Sequence, residues 1–313
     1  KIGENNTFRA KRSVPIGETI LLIAAIDEWG NTSNSTVYVN RVIPANTLPH
    51  LNPQKNISQP NPNAVAIIIG IEKYDNLPGA RYAENDARVF FDYALNALGI
   101  PQDRIKMLVG KEASRGQIIK ALTNWLQSKR INSQSDVYFY YAGHGLADPN
   151  GSKALILPVN GDITILADSA IPRRRIFEEL AKLESRSTTM FMDTCYSGVT
   201  RGGDSLIDGR PIIVTHGSGE VPPPGVTLIS AAGNNEISKT LEEPHHGIFS
   251  YFLMRALQGE ADADKNGTIT TEKIFKFVRP QVTEQSANLG GKQNPQYFGD
   301  NFAITRARLS TGS

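Results

Sequence analysis

The chain has 313 residues, enough for one large domain or two modest ones. Its 33 Lys and Arg against 31 Asp and Glu leave a formal charge of +2, without the broad basic excess of a nucleic-acid binder. The longest fully apolar run, residues 20–26, has 7 residues, far short of the ~20 a membrane span needs. A single cysteine, Cys195, excludes an internal disulfide framework and any multi-cysteine metal site.

Strands are expected at residues 19–25 and 36–41, on either side of Asp27-Glu28-Trp29-Gly30-Asn31, a turn-forming stretch. The segment GETILLIAAIDEWGNTSNSTVYVNR resembles the closing strands of bacterial immunoglobulin-like modules. Two strands cannot bury a sandwich core alone. Such modules are common outside the cytoplasm, which favours an envelope or secreted setting. No signal peptide is visible, and the N-terminus reads as a cut end. Residues 42–63 carry Pro44, Pro49, Pro53, Pro60 and Pro62 among asparagines, with no apolar periodicity, and read as an extended linker.

From residue 64 strands and helices alternate. Residues 64–71 form an apolar run suited to a strand buried on both faces of a parallel sheet. A helix follows at 85–98, a strand at 104–109, and a helix at 114–129 with Ser114 as its cap. Strands at 136–142, 188–194 and 226–232 and helices at 172–184, 247–258 and 271–284 complete the pattern. The expected fold is α/β, a doubly wound, mostly parallel sheet sandwiched by helices. The expected partition is a β segment at 1–41, the linker at 42–63, the α/β domain at 64–304 and a tail at 305–313.

In such sheets the chemistry sits beyond the carboxyl ends of the strands. One strand runs out at Gly143-His144-Gly145 and another at Cys195. A thiol needs a base or a cation beside it to act as a nucleophile, and glycines let the backbone turn sharply around the histidine. The residue types alone leave two readings: a nucleophile with its base, or a buried structural cysteine and a satisfied loop histidine.

Four blocks carry a resemblance. FYYAGHG, FMDTCYSG, IIIGIEKYDNLPGARYAENDA and LISAAGNNEIS, spread over residues 64–301, resemble the caspase-like cysteine peptidases, closest to the bacterial metacaspases and orthocaspases. Tyr196 stands where many metacaspases carry His. The resemblance implies a caspase-like fold and a Cys195–His144 dyad acting through a thioester, with the backbone amides of Gly145 and Cys195 as oxyanion donors. It further implies that Asp86 and Asp193 form a pocket for Arg or Lys before the cut bond. Alternation along a strand puts residues 193 and 195 on one face. Two converging carboxylates would repel until a cation enters, and a planar guanidinium bridges acids better than an ammonium. The expected partners are therefore proteins or peptides with Arg or Lys at the cut, with no nucleic acid. The alternatives are a silent interaction module and a transpeptidase built on the same dyad.

His216, His245 and His246 compete with His144 for the role of base. Arg201 is a candidate self-cleavage site in the segment that follows the cysteine, and Asp204, Asp208 and Glu220 in that segment are candidate calcium ligands. Residues 262–273, DADKNGTITTEK, place Asp262, Asp264, Asn266, Gly267, Thr268 and Thr270 at positions 1, 3, 5, 6, 7 and 9 of a calcium loop. Position 12, which should be a bidentate Glu, is Lys273, so the loop reads either as a weak calcium site or as a vestigial turn. The dyad chemistry itself calls for no cofactor, and calcium enters only as a candidate activator.

Overall fold

Strands that are apolar on both sides need helices above and below, and the chain supplies them in alternation. The structure, a computed structural model, describes residues 12, 14, 17–41, 48–196, 198, 206, 221–233 and 236–306. It opens with an antiparallel hairpin, β1 (Gly17–Ile26) and β2 (Thr32–Arg41), in register from Gly17–Arg41 to Ile26–Thr32. Both strands run longer than their apolar cores suggest, because Asp27 closes the turn tightly. Its carboxylate accepts from the amides of Trp29 and Asn31.

The α/β domain begins with β3 (Val65–Gly70), α1 (Ala83–Asn96) and β4 (Ile105–Val109). Next come α2 (Arg115–Lys120) and α3 (Leu126–Ser128), joined through a wider turn at Ala121–Trp125. Ser114 caps α2 by accepting from the Gln117 amide at 3.5 Å, as its sequence position suggests. The chain continues through β5 (Asp136–Ala142), β6 (Gly145–Ala147), β7 (Ala154–Ile156), α4 (Leu166–Ser169), β8 (Ile171–Pro172), α5 (Arg173–Ala181) and β9 (Ser187–Asp193). The remainder holds β10 (Val226–Ser230), β11 (Thr240–Leu241), β12 (His246–Gly247), α6 (Ile248–Arg255), β13 (Thr268–Thr270), α7 (Thr271–Asn288), β14 (Gln296–Phe298) and β15 (Ala303–Arg306).

Six of these strands make the central sheet, in the order β14-β10-β9-β5-β3-β4. All neighbours are parallel except the edge pair β10–β14. Every residue of β3, β5, β9 and β10 is buried, the burial that a parallel sheet covered on both faces imposes and that the apolar run of β3 suits. Helix α1 lies directly on β3: a Cβ at Gly70 would fall 2.5 Å from the Ala87 Cβ and 2.6 Å from the Ala83 carbonyl. That close approach fixes where α1 carries Asp86.

The segment expected as a linker is in part described. Residues 48–63 carry no helix or strand and are tied onto the α/β domain. The Pro49 carbonyl accepts from the Tyr251 hydroxyl at 2.7 Å, the Asn56 amide donates to the Leu257 carbonyl at 2.8 Å, and the Ser58 N–H donates to the Asn96 carbonyl at 2.9 Å. Asparagine-rich chain that looks like a spacer supplies many side-chain donors for such ties.

Candidate active site

The site is set by strand register. Parallel β5 and β9 pair so that Ala142 faces Asp193 at their carboxyl ends. His144 and Cys195 each lie two residues beyond that pair. The Gly143 N–H donates to the Asp193 carbonyl at 3.3 Å, carrying the pairing one step further. Gly145 then brings the two loops into contact. A Cβ there would sit 2.7 Å from Thr194 Oγ1 and 2.8 Å from the Cys195 carbonyl, so only glycine admits this approach.

His144 is held on three sides. Its ring stacks on Tyr74 with centroids 4.7 Å apart, and its backbone N–H donates to the Tyr74 hydroxyl at 2.7 Å. The Tyr141 hydroxyl donates to the His144 carbonyl at 2.7 Å. Burial first of all pushes the Tyr141 pKa well above its ordinary value, so this group stays a donor. The ring Nε2 lies 2.9 Å from the Pro78 carbonyl. A carbonyl can only accept, so Nε2 carries a proton and is the donor of this contact.

Cys195 is buried, with 4 % of its surface exposed, and is in no disulfide. Its neighbour Tyr196 lies under the Arg173 guanidinium, 5.0 Å from the ring centroid, and Arg173 also covers Phe177 at 5.6 Å. Arg173 is the first residue of α5 and is itself buried, a cation placed beside the cysteine loop. The Gly145 N–H is oriented by β6–β7 pairing. His144 with Leu157 and Asp148 with Lys153 are the hydrogen-bonded pairs of that ladder, so Gly145, opposite Ile156, is a non-bonded pair with its N–H directed away from β7.

Asp86 and Asp193 converge on the amino end of α6, both with no exposed surface. Asp86 accepts from His246 Nδ1 at 2.8 Å and from the Gly247 amide at 3.1 Å. Asp193 accepts from Ser238 Oγ at 2.7 Å, Ser250 Oγ at 2.6 Å and the Ser250 amide at 3.3 Å. Both acids therefore already have donors from the chain itself. Amides at the positive end of a helix, two hydroxyls and an imidazole already neutralise them in part. Asp86 lies in the first turn of α1, but its partners His246 and Gly247 form β12, immediately before α6.

The competing bases separate clearly. His246 is committed to Asp86, and His245 is exposed and packs its ring edge-on to Tyr82. His216, Arg201, Asp204, Asp208 and Glu220 lie outside the described residues. The calcium-type loop of Asp262, Asp264, Asn266 and Thr268 is filled by the ammonium of its own Lys273. Among the described residues no group of three or more His, Cys, Asp or Glu is placed to hold a metal ion, and no helix is long and apolar enough to cross a membrane. Tyr74, the Pro78 carbonyl, Ser238 and Ser250 were not foreseen. Tyr74 and Pro78 stand in one of the resembling blocks and Ser238 closes another, which was the only signal available for them.

A family model for the caspase domain matches residues 63–303. The crystal structure of caspase-1 from Spodoptera frugiperda is similar at a TM-score of 0.50 and 14 % identity, covering 87 % of this chain and 100 % of that one. The structure of pro-sf-caspase-1 gives 0.48 and 13 %, covering 88 % of this chain and 100 % of that one. No curated protein matches the sequence. The family match spans most of the chain, and the parallel sheet with its two residue-bearing strand ends is the architecture of that fold; the chain belongs to the caspase family of cysteine peptidases.

Proposed function

We propose that this chain is a metacaspase-type endopeptidase that cuts after basic residues, Arg in preference to Lys, using Cys195 and His144. The register at Ala142–Asp193 carries the reading, because it sets thiol and imidazole at equivalent points past adjacent strand ends. With Nε2 protonated against Pro78, His144 Nδ1 takes the thiol proton as sulfur attacks the scissile carbonyl. The oxyanion of the tetrahedral intermediate accepts from the amides of Gly145 and Cys195, donors that need no reorganisation. Collapse breaks the C–N bond, His144 returns the proton to the leaving amine, and a thioester remains on Cys195. Water, deprotonated by the same nitrogen, then hydrolyses the thioester. Nucleophile, base and oxyanion donors are all chain atoms, so the chemistry draws on no cofactor.

Specificity follows from charge. Asp193 precedes the nucleophile by two residues, and Asp86 joins it at the end of α6, so the site carries two carboxylates against helix-end dipoles and polar donors. A carboxylate has about four lone-pair positions, which leaves acceptor capacity for a guanidinium fork. Self-cleavage after Arg201 would follow from the same preference.

A peptide panel differing only before the scissile bond, with Arg, Lys, Asp, Asn and Leu, tests the assignment. Expected is Arg above Lys with the others uncut, no turnover in Cys195→Ala, and loss of Arg cleavage in Asp193→Asn. Cleavage after Asp, or unchanged Arg cleavage in Asp193→Asn, would remove the basic pocket. A folded wild type that neither turns over peptide nor reacts with an active-site-directed thiol probe would leave an interaction module.

A further inference from the structure

The loop that joins α6 to α7 has the spacing of a calcium loop and a side chain where the ion belongs. Gly267, at position 6, adopts φ +77°, the left-handed turn this loop type requires. The Gly267 N–H donates to Asp262 Oδ2 at 2.8 Å, and the Thr268 N–H donates to Asn266 Oδ1 at 2.8 Å, curling the backbone around a centre. At that centre lies Lys273 Nζ. It donates to Asp262 Oδ1 at 3.0 Å, Asp264 Oδ1 at 2.5 Å, Asn266 Oδ1 at 3.1 Å and the Thr268 carbonyl at 2.7 Å.

Those four oxygens are the ones that positions 1, 3, 5 and 7 of a calcium loop present to the ion. The lysine comes from position 12, where a carboxylate would normally reach in from the same direction. Contacts of 2.5–3.1 Å suit an ammonium, whereas calcium takes oxygens at about 2.3–2.6 Å, so the ring is open by a few tenths of an ångström. Position 9 is used differently: the Thr270 hydroxyl accepts from the Lys273 amide and caps α7. The acids beside it, Asp264 first, hold the Lys273 pKa above its ordinary value, so the ammonium persists through neutral pH.

We propose that Lys273 is a tethered cation occupying the ion position of a calcium-type loop, so that α7 is held in place here without metal and Lys273→Glu opens a calcium site. The loop sets more than its own shape. It delivers β13 to pair with β15, and the start of α7 accepts the chain returning through Asp300 and Phe302. β14, just before that return, forms the sheet edge next to β10. A fixed charge makes this whole corner insensitive to calcium. The inference is independent of the peptidase reading.

Calorimetric titration and thermal melts of the full chain test it, with wild type, Lys273→Glu and Lys273→Met compared in chelator and in calcium. Lys273→Glu should bind one calcium more than wild type and gain about 5 °C in Tm from saturating calcium. Lys273→Met should melt below wild type by the same amount with and without calcium. Calcium bound elsewhere adds equally to all three and cancels. If Lys273→Glu folds only in calcium, the proposal is supported. Equal calcium uptake by wild type and Lys273→Glu overturns it, and so does a Lys273→Met variant as stable as wild type.

Discussion

Tyr74 does two separable jobs at His144, and separating them shows how the histidine is aimed. Its ring supports the imidazole face, and its hydroxyl accepts the His144 backbone N–H. Phenylalanine keeps the first and deletes the second, leaving a buried donor that has lost its acceptor, a penalty of about 1–3 kcal/mol. Part of that strain falls on the placement of Nδ1. Tyr74→Phe should therefore lower kcat/KM by about 10-fold or more while the fold persists. Its action is positional, so the pH profile of Cys195 alkylation should shift along with turnover. A Tyr74→Phe enzyme with unaltered kinetics and an unaltered alkylation profile would show that stacking alone orients the ring.

At the scale of elements, the site depends on how closely two loops approach. Gly145 separates the claims, because alanine keeps the proposed oxyanion N–H but adds a Cβ that would lie 2.8 Å from the Cys195 carbonyl. Backbone cannot move aside as a flexible side chain can, so the loops must part. A displacement near 1 Å at reacting groups costs about 100-fold in rate, and Gly145→Ala should lose at least that with only a modest drop in Tm; near-wild-type turnover would mean the contact is not part of the site. The large elements were legible because their apolar residues cluster or recur over long stretches: β5, β9 and α1 lie within a residue or two of expectation. The small sheets β6-β7-β8, β11-β12 and β13-β15 escaped notice, since two to four residues carry no period and form only where tertiary contacts place them. The same division holds in the site. His144 and Cys195 could be read from strand ends, whereas the ties from Asp86 to His246 and Gly247, 160 and 161 residues away, come from folding alone.

Across the molecule, the strap of residues 48–63 and the helical turn at residues 256–260 that follows α6 form one hydrogen-bonded unit, and its charge sets a pH dependence. Gln258 is the hub. Its Oε1 accepts from the Asn52 N–H at 3.0 Å and the Tyr93 hydroxyl at 2.7 Å, while its amide donates to Glu260 at 3.0 Å. Glu260 in turn grips the Arg255 guanidinium with both oxygens and lies 4.0 Å from Lys55 of the strap. Burial alone would raise the Glu260 pKa, but hydrogen bonds from Arg255 and Gln258 and the charges of Arg255 and Lys55 outweigh it, leaving the carboxyl below its ordinary value of 4.5. A folded-state pKa below the unfolded one means the stabilisation is complete above about 4.5 and is lost as pH falls through the folded value. Glu260→Gln should therefore melt below wild type at neutral pH, and the gap should close as pH drops below that range. Limited proteolysis within residues 48–63 should follow the same curve, because the strap loosens when Glu260 is neutralised. A Tm gap between the two proteins that stays constant from neutral to strongly acid pH would place the effect in packing and remove the charge argument.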